Sequence, residues 1–221
     1  MEQWKKVIWS DETCLQVGHS LRGKWVTRQK GHELDQKNVL PTYKSVRVTI
    51  MVWACFTGEK VGPMIVFDEG GIGSEEYMDV ILDGLFSFVD DLLGQPEEEE
   101  TIRVYKEHDI IFMQDNVSCH KTPKVLELLE EEGISVMKWP AQSPDLNPLE
   151  NIWVDFKDHF HTRFVELYGR PSKSIDALYR YKELAKQVWS EIGQALVDRH
   201  VESMPRRCQA VIDVGGMWSG Y

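Results

Sequence analysis

The stretch from residue 109 to residue 139 decides the fold, because it alternates between strand and helix patterns. It opens with Asp109-Ile110-Ile111-Phe112-Met113-Gln114-Asp115, a short apolar run that predicts a β-strand ending at the aspartate. Thr122-Pro123 then predicts the start of a helix that ends before Gly133, and residues 134–139 predict a further strand. A strand–helix–strand unit is typical of neighbouring strands in a sheet that carries a helix on its face.

The same kind of pattern extends outward from this unit in both directions. Residues 6–10 predict a strand that ends at Asp11, and two further apolar runs predict paired strands joined by a turn at 57–60. Helices are predicted at 74–93, from Pro148 onward and over residues 174–204. The sequence therefore predicts an α/β fold with a mixed five-stranded sheet and helices on both faces.

Composition limits what kind of protein this is. The chain has 221 residues and a formal net charge of −11, which argues against a general nucleic-acid coat or a membrane-surface protein. No apolar run approaches the roughly 18 residues that a membrane-spanning helix needs, so we expect no membrane partner. The four cysteines are widely spaced, which favours reduced thiols. We expect one domain over residues 1–221, with residues 18–45 as a long loop inserted between the first and second strands.

Three acidic residues lie where predicted strands end or a helix begins. Asp11 and Asp115 each follow a strand, and Glu150 falls in the first turn of the helix that begins at Pro148. At about 100° per residue, Glu150 lies about 60° from Trp153 and so borders the apolar stripe of that helix. Convergent carboxylates suit Mg²⁺, which prefers oxygen ligands, and two such ions can support phosphoryl transfer.

Each of the three acids also has a purely structural interpretation. Aspartate at a strand end is a common turn former, and Asp115-Asn116 is compatible with an Asx turn. Glu150 is the third residue after a predicted N-cap at Asn147, which is the capping-box position. The pattern of residues alone leaves both interpretations open.

Three segments together resemble the catalytic domain of the Tc1/mariner superfamily of DDE transposases. They are residues 7–13, residues 112–116 with His120, and the block from Trp139 through Pro144-Asp145-Leu146-Asn147-Pro148-Leu149-Glu150 to Trp153. The 34 residues between Asp115 and Glu150 are typical of the Tc1 branch, and residues 203–212 also resemble it. The resemblance covers nearly the whole chain.

The resemblance implies a fold, a site and an activity. The fold would be ribonuclease H-like, and Asp11, Asp115 and Glu150 would be catalytic and would bind Mg²⁺ or Mn²⁺ as two ions. The reactions would be hydrolysis at transposon ends and attack of the freed 3′-hydroxyl on target DNA, usually at TA. Double-stranded DNA would be the substrate, a homodimer the assembly and the nucleus the location.

The chain also departs from the family pattern. The family carries basic N-terminal DNA-binding domains, whereas only ten residues precede Asp11, so we expect those domains to be absent here. A catalytically idle or domesticated dimerising module is therefore the alternative function, and a general ribonuclease H-like nuclease is a third. The run of four glutamates at 97–100 has no assigned role.

Several further residues are candidates for supporting roles. Asn116, His120 and Asn147 are expected to support the three acids, with His120 either orienting Asp115 or held by backbone groups. Three lysines are weaker candidates for contacts with DNA phosphates, since most lysines are solvated surface groups: Lys121, Lys124 and Lys138.

Overall fold

Five strands form one mixed sheet in the computed structural model, which describes residues 2–17, 48–67, 72–94, 109–168 and 171–221. The strands are β1 (Val7–Val17), β2 (Val48–Phe56), β3 (Val61–Val66), β4 (Ile111–Met113) and β5 (Ser135–Val136). Their order across the sheet is β3-β2-β1-β4-β5. The first three strands pair antiparallel, whereas β1 pairs parallel with β4 and β4 with β5. The predicted α/β class and mixed five-stranded sheet are confirmed.

The first strand is longer than predicted, and the predicted strand end at Asp11 is wrong. Parallel pairing of β1 with β4 stops where Trp9 lies opposite Met113, but antiparallel pairing with β2 continues to Val17. Leu15 and Val17 still bury alternate side chains, so the strand persists beyond its polar middle. Asp11 therefore lies within β1, two residues beyond its last parallel pair.

Eight α-helices surround the sheet in the described part of the chain. They are α1 (Glu2–Lys5), α2 (Ser74–Asp79), α3 (Ser87–Leu93), α4 (Pro123–Glu131), α5 (Pro148–Leu167), α6 (Ile175–Ser190), α7 (Gln194–Val201) and α8 (Met204–Asp213). A π-helical segment, Val80–Phe86, joins α2 to α3, and short 3₁₀ turns occupy Ser118–Lys121 and Pro144–Leu146. At Gly84 a Cβ would lie 2.7 Å from Ile65 and 2.9 Å from the Trp53 ring, so glycine lets this helix approach the sheet.

The sheet separates two apolar layers, because neighbouring strand residues point to opposite faces. On one face Val7 and Trp9 pack with helices α5, α6 and α7, whose buried residues include Trp153 and Phe156. On the other face Ile8 and Phe112 pack with α2, α3 and α4 and the π segment. Helices thus cover both faces, as predicted. Asp11 falls on the α5 side of β1, whereas Glu12 falls on the opposite side.

The remaining predictions about the fold have different outcomes. The turn at 57–60 is present, with Thr57 N–H donating to the carbonyl of Lys60 at 2.8 Å. The strand predicted at 134–139 pairs only over Ser135–Val136. No helix among the described residues is long and apolar enough to cross a membrane. The predicted insertion at 18–45 and the glutamate run at 97–100 lie outside the described residues.

Candidate active site

All three acids that the sequence singles out line one cavity of about 350 Å³. Asp11 comes from β1, Asp115 from the segment after β4 and Glu150 from the first turn of α5. Asp115, like Asp11, lies two residues beyond the pair of Trp9 and Met113, so the sheet brings both aspartates to the same level. The remaining wall is formed by Asn116, Val117, Asn147 and residues 139–144.

The side chain of Asp11 is held by one hydrogen bond and crowded by other acids. Trp153 Nε1 donates to Asp11 Oδ2 at 3.0 Å from the buried face of α5. Burial raises the pKa of Asp11 well above its usual value, and the charges of Glu150 and Glu12 raise it further. The bond from Trp153 acts in the opposite direction but is the smaller effect. The surroundings of Asp11 therefore disfavour its ionised carboxylate when no cation is bound.

Glu150 does not act as a capping residue. Asn147 caps α5 by accepting a bond from Leu149 N–H at 3.1 Å, and its own N–H donates to the carbonyl of Pro144 at 3.0 Å. A capping box would need that N–H for the Glu150 carboxylate, so the structural interpretation of Glu150 is wrong. Its side chain lines the cavity, where partial desolvation raises the pKa of the carboxylate and the charge of Lys157 lowers it.

Asp115 forms the Asx turn that the sequence left open, and it still reaches the cavity. Its Oδ1 accepts from Val117 N–H at 3.0 Å and from His120 Nδ1 at 2.8 Å. Burial alone would raise the pKa of Asp115, but these two bonds and the charge of His120 lower it overall. Since both bonds fall on Oδ1, the turn fixes the carboxylate and leaves Oδ2 for a ligand.

His120 is a buried cation between two acids. Its Nε2 lies 3.3 Å from Glu12 Oε1, opposite the bond from Nδ1 to Asp115, and its ring stacks on Tyr77 at 3.9 Å. Burial lowers the pKa of His120, but the bonds to Asp115 and Glu12 outweigh it and raise the pKa to about 10. Gln114 donates to the carbonyl of His120 and accepts from the Tyr77 hydroxyl, which fixes the ring further.

Lys157 is a site residue that the sequence reasoning missed. Its Nζ donates to Thr13 Oγ1 at 2.6 Å, and its charge interacts with those of Glu150 and Asp11. Lys157 follows Glu150 by seven residues, which is nearly two full helical turns, so the spacing could have placed both on one face of α5. Trp153, three residues after Glu150, could have been found in the same way.

The predicted supporting residues divide into two groups. Asn116 donates to the carbonyl of Trp139 at 2.8 Å and lines the cavity with Asn147, so both shape it. The three lysines are exposed and do not line the cavity: Lys121, Lys124 and Lys138. Their contact with DNA stays a prediction.

The donor set of the cavity fits a hard divalent cation. Asp11, Asp115 and Glu150 all line it, and a bound cation would offset the burial and the neighbouring acidic charges that raise the pKa of Asp11. Among the described residues, however, the one group with three candidate ligand atoms within 4.8 Å of one another is Glu12, Asp115 and His120, so the three cavity acids would have to draw closer together to share a single ion. In this group His120 Nδ1 is bonded to Asp115 Oδ1 and Nε2 faces Glu12 Oε1 at 3.3 Å, so in this structure the ring pairs the two acids.

Comparison with known proteins decides the family. A family model described as DDE superfamily endonuclease matches residues 86–168. The Tc1 transposase of Caenorhabditis elegans is 30% identical over 224 residues, which covers 100% of this chain and 72% of that protein. The chain belongs to the Tc1/mariner family of DDE transposases. The Tc1/mariner motifs that carry Asp115 and Glu150 lie within the matched residues.

Solved structures confirm the ribonuclease H-like fold of this Tc1/mariner domain. A Mos1 transposase paired-end complex with the left transposon end superimposes with a TM-score of 0.66 at 14% identity. That match covers 97% of this chain and 56% of the Mos1 chain, so the chain spans a little over half of that protein. The Mos1 catalytic domain with raltegravir and Mn gives a TM-score of 0.61 at 14% identity over 97% of this chain and 85% of that one.

Proposed function

We propose that this chain is a metal-dependent DNA transposase and endonuclease domain. The observation that carries the proposal is the convergence of Asp11, Asp115 and Glu150, from three separate elements, on one open cavity. The proposed reactions are hydrolysis at transposon ends, which frees a 3′-hydroxyl, and attack of that hydroxyl on a phosphodiester of target DNA at TA. Membership of the Tc1/mariner family supports both reactions.

The proposed cofactor is Mg²⁺ or Mn²⁺, as two ions held by the three carboxylates. When bound, such ions polarise a phosphodiester and stabilise the charge on attacking and leaving oxygens. The chain contributes orientation: Trp153 holds Asp11, while Val117 N–H and His120 hold Asp115. The first turn of α5, which carries Glu150, is capped by Asn147. A Mos1 catalytic domain solved with Mn is consistent with this choice of ion.

The proposed substrate is double-stranded DNA, bound by a homodimer in the nucleus. The structurally similar Mos1 transposase was solved as a paired-end complex with a transposon end, which supports DNA as the substrate class. The net charge of −11 makes non-specific binding of DNA weak, so recognition of ends by other protein surfaces is expected.

A nicking assay tests the proposal. The 221-residue chain with Mn²⁺ is incubated with supercoiled plasmid, and relaxed circles are counted. We expect nicking by the wild type and none by Asp115→Asn, with a melting temperature lowered only by the loss of the ion pair with His120. The matched control is Asp109→Asn, an exposed aspartate just before β4, which should nick normally.

Three outcomes would count against the proposal. Absence of nicking by a folded wild type that also binds no Mn²⁺ would favour the catalytically idle module. Preferential cleavage of an RNA–DNA hybrid would favour a general ribonuclease H-like nuclease. An Asp115→Asn variant that is unfolded at the assay temperature would assign the residue a folding role.

A further inference from the structure

Arg207 in α8 is a buried cation whose contacts surround the start of α5. Its side chain is 2% exposed, and its Nε donates to Ser203 Oγ at 2.7 Å within the same helix. Its Nη1 donates to the carbonyl of Asp145 at 2.9 Å, and its Nη2 to Asn151 Oδ1 at 2.5 Å. Asp145 precedes Glu150 by five residues and Asn151 follows it directly, so one guanidinium is bonded to the chain on both sides of Glu150.

The last residues of the chain cover this guanidinium. The N–H and hydroxyl of Ser219 both donate to Asp145 Oδ2, at 2.9 and 2.8 Å. The ring of Tyr221 lies over the guanidinium, with the Arg207 Cζ 5.1 Å from the ring centroid. Asp145 is itself buried, and its two functional groups are divided: the carbonyl accepts from Arg207 and the carboxylate accepts from Ser219.

The three hydrogen bonds of Arg207 all go to neutral groups. The acceptors are a hydroxyl, a carbonyl and an amide, whereas the nearby Asp145 carboxylate acts on the guanidinium through its charge. The planar guanidinium presents its donors in a fixed arrangement, which suits it to hold several backbone and side-chain groups at set positions. Lysine, with one ammonium group, cannot replace that arrangement.

We propose that Arg207, Ser219 and Tyr221 form a C-terminal clamp that positions Glu150 for its ligand. The clamp fixes the 3₁₀ turn Pro144–Leu146 and the first turn of α5 relative to α8, and the wall of the cavity at 141–144 leads directly into that turn. Gln142 in this wall has a φ of 54°, so the backbone there is held in a conformation that non-glycine residues rarely adopt. The inference rests on the proposed function, since it assigns Glu150 a ligand. Arg207 is a positioning residue, because it does not line the cavity.

Two changes to the clamp and two matched controls test this inference. The changes are Arg207→Lys and deletion of residues 219–221. The controls are Arg206→Lys, on the exposed neighbour of Arg207, and Trp218→Ala, an exposed tail residue with 73% of its surface accessible. For each protein the Kd for Mn²⁺ is measured by calorimetry, and amide hydrogen exchange is followed over residues 144–152.

We expect both clamp changes to raise the Kd for Mn²⁺ about tenfold and to speed exchange over 144–152, because partners that orient a ligand side chain have effects of this size. Both controls should match the wild type. If Arg207→Lys fails to fold, the deletion decides, since none of residues 219–221 is fully buried and all of them follow α8.

The outcomes separate this inference from the proposed function. A wild type that binds Mn²⁺ while folded clamp variants keep its Kd within about twofold would overturn the inference alone. A folded wild type that binds no Mn²⁺ would overturn the proposed function, and the inference with it. Faster amide exchange across the whole chain, rather than over 144–152, would mean that the clamp stabilises the fold in general. That result would also overturn the inference.

Discussion

The indole Nε1 of Trp153 donates a 3.0 Å hydrogen bond to Oδ2 of Asp11, although the two residues lie 142 positions apart in the chain. The bond joins the buried face of α5 to the middle of β1. The helix that carries Glu150 therefore also orients the first aspartate, and two of the three acids are positioned by one element. The relationship makes Trp153 a testable part of the site.

Trp153→Phe should weaken the site more than the fold. Phenylalanine keeps an aromatic ring in the core but removes the donor to Asp11, so we expect about tenfold weaker Mn²⁺ binding and a loss of about 2 kcal/mol in unfolding free energy. Trp189→Phe is the matched control, because its Nε1 donates to the carbonyl of Gly62 away from the cavity. Equal effects of the two changes on Mn²⁺ affinity, measured by calorimetry, would contradict this role.

Two substitutions of His120 separate the roles of its two ring nitrogens. Asparagine places an N–H near the position of Nδ1, which serves Asp115, whereas glutamine places one near Nε2, which faces Glu12. Both changes lose the stacking on Tyr77 equally. We expect His120→Asn to retain nicking within about fivefold of the wild type and His120→Gln to lose more than about tenfold.

The reverse order of activities would show that the contact with Glu12 matters more than orientation of Asp115. Melting temperatures of the two variants, measured in parallel, should fall by similar amounts.

Lys157 should offset the acids in the metal-free protein, against the cost of its own burial, which lowers its pKa. Lys157→Met keeps the alkyl chain but removes the charge near Glu150 and Asp11, so we expect the unfolding free energy of the variant relative to the wild type to be lower without metal than in saturating Mg²⁺. In saturating Mg²⁺ the cations offset the acids instead. Denaturation by urea with and without Mg²⁺ measures both values, and a relative stability that is the same in both conditions would contradict this account.

His200 should make the protein less stable in mild acid. Burial lowers its pKa, and the charges of Arg207 and Arg199 lower it further against that of Asp155. Its unfolded pKa is about 6.5, so below that pH the unfolded chain binds a proton that the folded protein binds less readily. Stability is therefore intact above about pH 6.5 and falls as the pH falls toward the lower folded pKa.

The variant His200→Gln isolates this contribution. We expect the unfolding free energy of the wild type, relative to the variant, to be lower at about pH 5.5 than at about pH 7.5. A relative stability that does not change between these two values would contradict the lowered pKa.

The sequence predicts most of the fold because its apolar periods are clear. The stripe of α5, which includes Ile152, Trp153 and Phe156, is buried as expected, and the sheet is mixed as the alternation of strand and helix patterns predicts. The extent of β1 was missed because Ser10 to Thr13 interrupt the apolar pattern. That interruption exists because the strand carries site residues on both faces there, Asp11 on one and Glu12 on the other.

The sequence predicts the three acids of the site but not the side chains that hold them in position. Motif resemblance pointed to Asp11, Asp115 and Glu150, which the structure places around one cavity. The bonds from Trp153, His120 and Arg207 depend on side chains that only tertiary packing brings together. The π-helical segment Val80–Phe86 likewise reflects packing of Gly84 against the sheet rather than any local signal.

The central claim is that Asp11, Asp115 and Glu150 jointly bind divalent cations. Anomalous diffraction from crystals of the chain soaked in Mn²⁺ tests it most directly. The account predicts a peak in the cavity within about 2.2 Å of oxygens from these three residues. A peak between Glu12 and His120 instead, or none in a crystal that has taken up Mn²⁺ elsewhere, would contradict it.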